Sequence, residues 1–531
     1  MHHDFDVVVV GAGPTGLTAA LLLARGGHSV ALMERWSQPY PQPRAIGLDH
    51  EVRRIFHQAG ADHRIEQVLQ FTKDLLEAQY VTPSGEVLLR MRGTERAQSG
   101  WPDMVDFNQP DVEQFLEELI TESPRIKVMR NVNVNGIEQS GDGVWVHYLT
   151  CDGKGQARPD APARKVSAQF VIGADGANSF VASQMGAEYT DLDFSSDWLV
   201  VDIRPKAPRK WVPYLAEVLD PTRPTTVAPA GPGRRRFEFM FTPGETAEDM
   251  STPAVAWKLL AKWDVTPQNA ELVRSVPYRF RGRWANNWRS GRIFIAGDAA
   301  HLTPPFLGQG LNSAVRDAAN LAHYLNLVLD HKAPMSVLDN YTKERLPHVQ
   351  AMVELAVELG RKICITDPEQ ARVRDDELRQ MRDSGFEIVT PRNPLTDGVL
   401  AAGDALAGTL SHQGRVEYKG ATGFFDDVCT KGCFILIGLE GDPASSLSPQ
   451  ARSLWERLGG ESFHVGEAAS CRDLEGVYKN WLGAENAGVV LVRPDFYVFG
   501  SGKSSADADR LVLELGKKLG TPISEEAAVA V

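Results

Sequence analysis

A strand, a glycine turn and a helix, written between Asp4 and Glu34, constrain this chain more than any other feature. Asp4-Phe-Asp-Val-Val-Val-Val leads into Gly11-Ala-Gly13-Pro-Thr-Gly16 and then into Leu-Thr-Ala-Ala-Leu-Leu-Leu-Ala-Arg25. A second β-branched run, Ser29-Val-Ala-Leu-Met33, ends in Glu34. Val7 to Val10 is apolar on both faces, as a buried parallel strand requires. Gly11 allows the tight turn, Gly13 lets backbone approach a pyrophosphate, and Gly16 lets helix and strand pack closely. The helix start offers N–H groups and a partial positive charge to phosphates. Glu34, closing the second strand, offers a carboxylate to ribose hydroxyls. The whole βαβ unit points to an adenine dinucleotide. The competing reading is a membrane span, since Val7 to Ala24 is free of charge. Pro14 and three glycines interrupt that run and acidic residues precede it, which fits neither a span nor a signal peptide.

The 531 residues suffice for two or three domains with their own cores. A net charge of −13 argues against nucleic acid and anionic membranes as partners. Five scattered cysteines make no disulfide framework and fit a reducing cytoplasm. Cys429-Thr-Lys-Gly-Cys433 is one residue too long for a redox Cys-x-x-Cys pair, and no second pair completes a metal site. These cysteines read as buried or half-buried thiols.

Two later segments return to nucleotide-binding character. Phe170-Val-Ile-Gly-Ala-Asp175-Gly176 is an apolar strand entering an acid-glycine turn. Gly291-Arg-Ile-Phe-Ile-Ala-Gly297-Asp298 is another, continuing through His301, Pro304 and Pro305 to Gly308-Gln-Gly310-Leu311-Asn312, which opens a helix. One such acid reads as a helix cap; three turns in one chain read as one extended cofactor touched at several points. Between them lie β-rich stretches. Gln79-Tyr-Val81 and Val87-Leu-Leu89 flank Ser84-Gly85, a hairpin signal. Arg235, Phe237, Phe239 and Phe241 share a face by the two-residue period, either a core face or the roof of a substrate cavity. The Arg234–Arg236 run reads as the solvated start of that strand. A helical pattern spans Leu338 to Ile365, and the charged, then turn-rich stretch 366–398 reads as a linker. Beyond it, alternating short strands and helices argue for a separate small α/β domain. The tail from Thr521 reads as frayed.

Together, the glycine triplet ending at Glu34, Asp175-Gly176, and Gly297-Asp-Ala-Ala-His-x-x-Pro-Pro-x-x-Gly-Gln-Gly-Leu-Asn312 resemble the single-component FAD-dependent aromatic hydroxylases. Within that family the chain is most similar to the 3-(3-hydroxyphenyl)propionate hydroxylase and polyketide hydroxylase branch. The resemblance implies an α/β fold: a Rossmann-like FAD-binding domain of glutathione-reductase type, an inserted β-sheet substrate domain and a C-terminal thioredoxin-like domain. The implied division is 1–75, 101–185 and 283–365 for FAD, 76–100 and 186–282 for substrate, 366–398 as linker and 399–531 as the thioredoxin-like domain. Arg493-Pro-Asp-Phe-Tyr-Val-Phe resembles a late strand of that last domain, which lacks Cys-x-x-Cys and is expected to be structural, in homodimer contacts.

The resemblance further implies noncovalent FAD held by Gly11, Gly13 and Gly16 at the pyrophosphate and by Glu34, with Arg35 beside it, at the adenosine ribose. Arg44 lies on the loop by the flavin, Gln109 by the ribityl chain, and Asp298 on a ribityl hydroxyl. The N–H groups of Gly310, Leu311 and Asn312, after Gly308, face the flavin N1–C2=O edge. Asp175-Gly176 serves both FAD and the nicotinamide nucleotide. The family often has Arg where Ala182 stands and Gly where Ala314 stands. Arg44 and Pro305 are the residues expected at the reaction itself. The implied activity is hydroxylation of a phenolic aromatic by NADH or NADPH and O2, through a flavin C4a-hydroperoxide, in the cytoplasm. A helix N-terminus aimed at anionic reduced flavin stabilises it with a fixed dipole, and the cofactor carries the oxygen chemistry. His301 reads mainly as packing beneath the motif. Rival readings keep the fold but make the enzyme a flavin-dependent halogenase or dehydrogenase, or the chain a non-catalytic nucleotide-binding module. No Trp-x-Trp-x-Ile stretch or lysine near the first FAD strand supports the halogenase.

Overall fold

The structure is a computed structural model that describes residues 3–39, 44–152, 155–158, 162–388, 393–430 and 432–521. Pro43 of the Arg44 loop, Thr390–Arg392 of the turn-rich stretch and the tail beyond Thr521 lie outside the described residues. Among the described residues no helix is long and apolar enough to cross a membrane.

Phe5–Val10 forms the centre of a mostly parallel sheet, with Val7, Val8 and Val9 wholly buried. Val30–Glu34 and Arg164–Gly173 flank it, Ile126–Arg130 lies outside the first and Ile293–Ile295 outside the second, all parallel. The helix Pro14–Arg25 is buried along ten of its twelve residues, which explains a run apolar all round that is not a membrane span. It packs against the helix Gly310–Leu329.

A second, eight-stranded sheet brings together distant parts of the chain. Its order runs from His301–Leu302 through Ala270–Ala285, Tyr189–Pro205, Arg235–Met240, Thr225–Pro229 and Leu215–Val218 to the hairpin Glu77–Val81 and Val87–Arg92. One face buries Leu199, Val201, Phe237 and Phe239 beneath the helix Pro253–Leu260. The Phe237 face is therefore a core face and not a cavity roof. The alternate residues Trp198, Val200 and Met240 join the core of the first sheet instead. Arg235 and Arg236 are not solvated: both are buried. Arg235 donates to the carbonyls of Pro213 and Tyr214, and Arg236 pairs with Asp202 at 2.7 and 2.9 Å.

The stretch 366–398 is not simply a linker. Asp367 caps a helix, Pro368–Asp383, whose Arg379 and Arg382 pair with Glu86 of the hairpin. Apart from the buried Arg374, its charges occupy the exposed face and the i,i+3 and i,i+4 positions, which hides a helix among polar residues. The C-terminal region carries a seven-stranded mixed sheet ordered Ala421–Phe424, Arg415–Tyr418, Cys471–Asp473, Glu461–Gly466, Ile435–Gly438, Val489–Val492, Val498–Gly502. Arg493 follows a strand and does not lie within one. All five cysteines are free thiols; Cys429 and Cys471 approach to 3.5 Å without bonding.

Candidate FAD and substrate site

Parallel register places four loops at one edge of the first sheet. Val10 lies beside Met33 and Gly173, and Gly173 beside Ile295. The backbone bonds Gly11 N–H to Met33 O (2.8 Å), Ala174 N–H to Val10 O (2.8 Å) and Ala296 N–H to Gly173 O (3.0 Å) carry the ladder one step past the strands. The Gly11–Gly16 turn, Glu34, Asp175-Gly176 and Gly297-Asp298 thus meet at the carboxyl ends of the strands, where open α/β sheets bind ligands.

Each glycine has its own reason. Gly11 has φ +103°, and a Cβ there would stand 2.3 Å from the Ala174 carbonyl oxygen. A Cβ on Gly16 would stand 1.9 Å from the Gly11 oxygen, so only glycine lets this helix start against its turn. Gly13, Gly176 and Gly308 instead have nothing within 4 Å on their Cβ side. Packing does not demand glycine at Gly13, whose open face is what a closely approaching phosphate requires. Glu34 accepts from the Ala12 N–H at 2.8 Å and the Trp36 N–H at 2.9 Å, which clamps the loops after the first two strands. Arg35 is exposed and leans on the Trp36 ring.

Asp298 sits in the turn Gly297–Ala299, half-buried, and its carboxylate has no hydrogen-bond partner among the described residues. Asp175 is saturated by contrast: Ser179 Oγ donates at 2.5 Å and the Val181 N–H at 3.1 Å, while burial pushes its pKa up. The helix Gly310–Leu329 begins with N–H groups of Gly310, Leu311 and Asn312 that have no acceptor inside the helix. The Asn312 side chain is committed elsewhere, donating to Gly308 O (2.8 Å) and accepting from the Asp49 N–H (3.2 Å). Its backbone alone remains for a ligand.

Gln109 and the Arg44 loop are brought together. The Gln109 carbonyl accepts from the Ala45 N–H and its amide donates to Glu113, both at 2.7 Å. Arg44 is exposed, and its carbonyl accepts from the buried Arg236 guanidinium, which couples the loop to the second sheet. Pro305 is exposed, and its carbonyl accepts from the Gly308 N–H at 2.8 Å. Phe306 turns inward onto Phe194, Trp198 and Phe280, an apolar wall under the proline loop.

His301 does not face this space. It is buried, stacked on Trp288, and its Nε2 lies 2.7 Å from Asp317. Asp317 also accepts from the Gly297 N–H (3.0 Å) and from Arg345 Nε (2.9 Å). Asp317 and Arg345 escaped the sequence reading; the usable signal was a charge at Asp317 on the small-residue face of its helix. Equally unforeseen is the polar set on the inner face of the second sheet: Asp202, Glu217, Thr226, Arg236, Glu238 and Arg274. Burial pushes Glu217 up to about 8 and raises Glu238.

The donors present fit FAD: two helix starts, three open glycine faces and one unpartnered carboxylate along a single edge. A family described as an FAD binding domain matches residues 4–356, and one described as the HcaD C-terminal domain matches residues 408–518. The chain is 34% identical to a probable NADH-specific resorcinol 4-hydroxylase of Rhodococcus jostii, covering 96% of this chain and 94% of that protein. It is 31% identical to a 3-(3-hydroxy-phenyl)propionate/3-hydroxycinnamic acid hydroxylase of Paraburkholderia xenovorans, covering 99% and 93%. In fold it resembles the flavin-dependent monooxygenase PieE, with a TM-score of 0.82 at 21% identity over 98% of this chain and 100% of that one.

Proposed function

Because this chain belongs to the FAD-dependent aromatic hydroxylases, we propose that it hydroxylates a small, uncharged phenol, with NADH as reductant and O2 as co-substrate. Relatives along the whole chain are hydroxylases, so the halogenase and dehydrogenase readings are set aside. FAD, when bound, supplies hydride acceptance and oxygen activation. The protein's own part is to hold, orient and shield. In this reading the Gly11–Gly16 turn takes the pyrophosphate, Glu34 with Arg35 the adenosine ribose, and Asp298 a ribityl hydroxyl. The N–H groups after Gly308 take the flavin edge, and Gln109 steadies the Arg44 loop beside it. Asp175, with Gly176, serves FAD and the nicotinamide nucleotide from the turn after its strand. Pro305 borders the substrate, and the Phe306–Trp198–Phe280 wall keeps water out.

The observation that favours an uncharged phenol is the state of the buried arginines. Arg236 is bound to Asp202 through two nitrogens and to the Arg44 carbonyl, and Arg274 also lies by Asp202. Both guanidinium groups of that face are held at Asp202, so a substrate carboxylate would have to displace a partner they already have. A diol of the resorcinol type fits better than a phenylpropionate. Residues 76–100 and 186–282 act as the substrate domain between the FAD segments 1–75, 101–185 and 283–365. Residues 399–531 form a thioredoxin-like unit with a structural role, in a cytoplasmic homodimer. The test is NADH oxidation by the purified yellow protein with resorcinol and, separately, with 3-(3-hydroxyphenyl)propionate. Equal or better coupling with the acid would overturn the uncharged-substrate reading.

A further inference from the structure

No spacing in the sequence marks a metal site, yet the fold gathers two imidazoles and a carboxylate, with a second carboxylate beside them, away from the FAD loops. His57 lies near the end of the helix His50–Gln58. His63 and Glu66 lie on the 3-10 helix Asp62–Val68, where three residues complete a turn and positions three apart stand one above the other. One ligand atom from each of His57, His63 and Glu66 falls within 4.8 Å of the others. Asp427, on the short helix Phe425–Val428 of the C-terminal region, stands beside the group. Its Oδ1 lies 3.9 Å from His57 Nδ1 and its Oδ2 3.9 Å from His63 Nε2.

These separations are too long for hydrogen bonds. The two 3.9 Å contacts of Asp427 are about half an ångström wider than the roughly 3.3 Å between neighbouring ligands about 2.05 Å from a tetrahedral ion, and the exposed His63 and Glu66 side chains have room to draw in. The independent pointer is His57. It is 2% exposed, and neither of its ring nitrogens has a hydrogen-bond partner. A buried imidazole always carries at least one N–H, so both nitrogens unsatisfied is a costly arrangement that an ion on one of them relieves. Its other neighbours are rings: His63 at 5.3 Å and Trp101 at 4.7 Å, centroid to centroid. Arg53 pairs with one oxygen of Glu66 and lies over Trp101, so it offsets one carboxylate and occupies only one of its oxygens.

We infer that His57, His63, Glu66 and Asp427 bind one divalent transition-metal ion. With mixed imidazole and carboxylate ligands, zinc is the ion to test first. Four protein ligands leave no open position, so the ion is structural: it fastens the segment 57–66 to the C-terminal region through Asp427.

The experiment is calorimetric titration of FAD-loaded, chelator-treated protein with zinc chloride. The wild-type protein should take one equivalent with a dissociation constant at or below about 1 μM, typical of sites with a full ligand set. His63, with a side chain 72% exposed, can be replaced without disturbing the core. His63→Ala and Asp427→Asn should each weaken binding at least tenfold and abolish the zinc-dependent rise in melting temperature. Cys429→Ser, which removes a thiol two residues from Asp427 and breaks its approach to Cys471, should leave both unchanged. Absence of uptake at tens of micromolar zinc would overturn the inference. So would uptake that survives His63→Ala and Asp427→Asn, or that disappears with Cys429→Ser.

Discussion

Replacing Arg493 by Met should loosen the C-terminal region from the rest of the molecule. Arg493 is wholly buried and uses all five N–H donors. Two go to Glu344 at 2.7 Å each, two to Asp495 at 3.0 and 2.7 Å, and one to Val399 O at 3.1 Å. Glu344, on the helix Asn340–Ile363, also accepts from Tyr324, Asn320 and the Val399 N–H. The substitution therefore leaves two buried carboxylates with neutral donors and no cation. Breaking a buried ion pair by removing one partner costs about 3–5 kcal/mol. At about 2.1 cal/mol/K of unfolding entropy per residue, a chain of 531 residues loses roughly 1 °C per kcal/mol, so the melting temperature should fall by about 3–5 °C. The sign of the pH effect follows from the same geometry. Burial raises the Asp495 carboxyl and Arg493 holds it down; without the guanidinium it rises, so protonation relieves the repulsion and the deficit against wild type shrinks from pH 8 to pH 5.5. Differential scanning fluorimetry of FAD-loaded proteins at both pH values measures this. A melting temperature within 2 °C of wild type, or a deficit that ignores pH, would refute the reasoning.

Three further outcomes are expected. Asp298→Ala should weaken FAD binding about ten- to a hundredfold, the worth of one charge-assisted hydrogen bond of about 1.5–3 kcal/mol, read as flavin retained after dilution. His323 is buried and its pKa is pushed down to about 4 by loss of hydration. The unfolded chain takes that proton near pH 6.5, so stability should decline by about 3 kcal/mol as pH drops from 6.5 to 4, and His323→Gln should flatten that slope in urea melts. Arg44→Ala should slow substrate-stimulated flavin reduction and raise the peroxide yield with little change in melting temperature, because the Arg236 bond to the loop is to a backbone carbonyl that the substitution keeps.

The elements with a local rule behind them were legible in advance. Val7–Val10, the glycine turn and the helix after it obey burial and steric rules that act within a few residues, and the Ser84-Gly85 hairpin obeys turn chemistry. The charged helix Pro368–Asp383 was missed because its partner, Glu86, lies far away in sequence and its own face is polar. The Arg235–Arg236 pair was misread for a related reason. Alternation alone does not say that both faces of a strand are covered, and here one guanidinium meets carbonyls and the other meets Asp202. Arg493 reads locally as a strand residue; only Glu344, from another part of the chain, explains a charge at zero exposure. In the candidate site, the Gly11–Gly16 turn follows from motif spacing, and Asp298 from the family resemblance. The saturation of Asp175, the Asn312 side chain and the Pro305 carbonyl does not, because each depends on a partner that only the fold supplies.

The central claim is tested most directly by stoichiometry. The yellow protein, given resorcinol, NADH and O2, should oxidise NADH faster than without resorcinol, consume one O2 per NADH, release little hydrogen peroxide and yield a ring-hydroxylated product. NADH oxidation that ignores every uncharged phenol, or that returns its electrons wholly as peroxide, would contradict it.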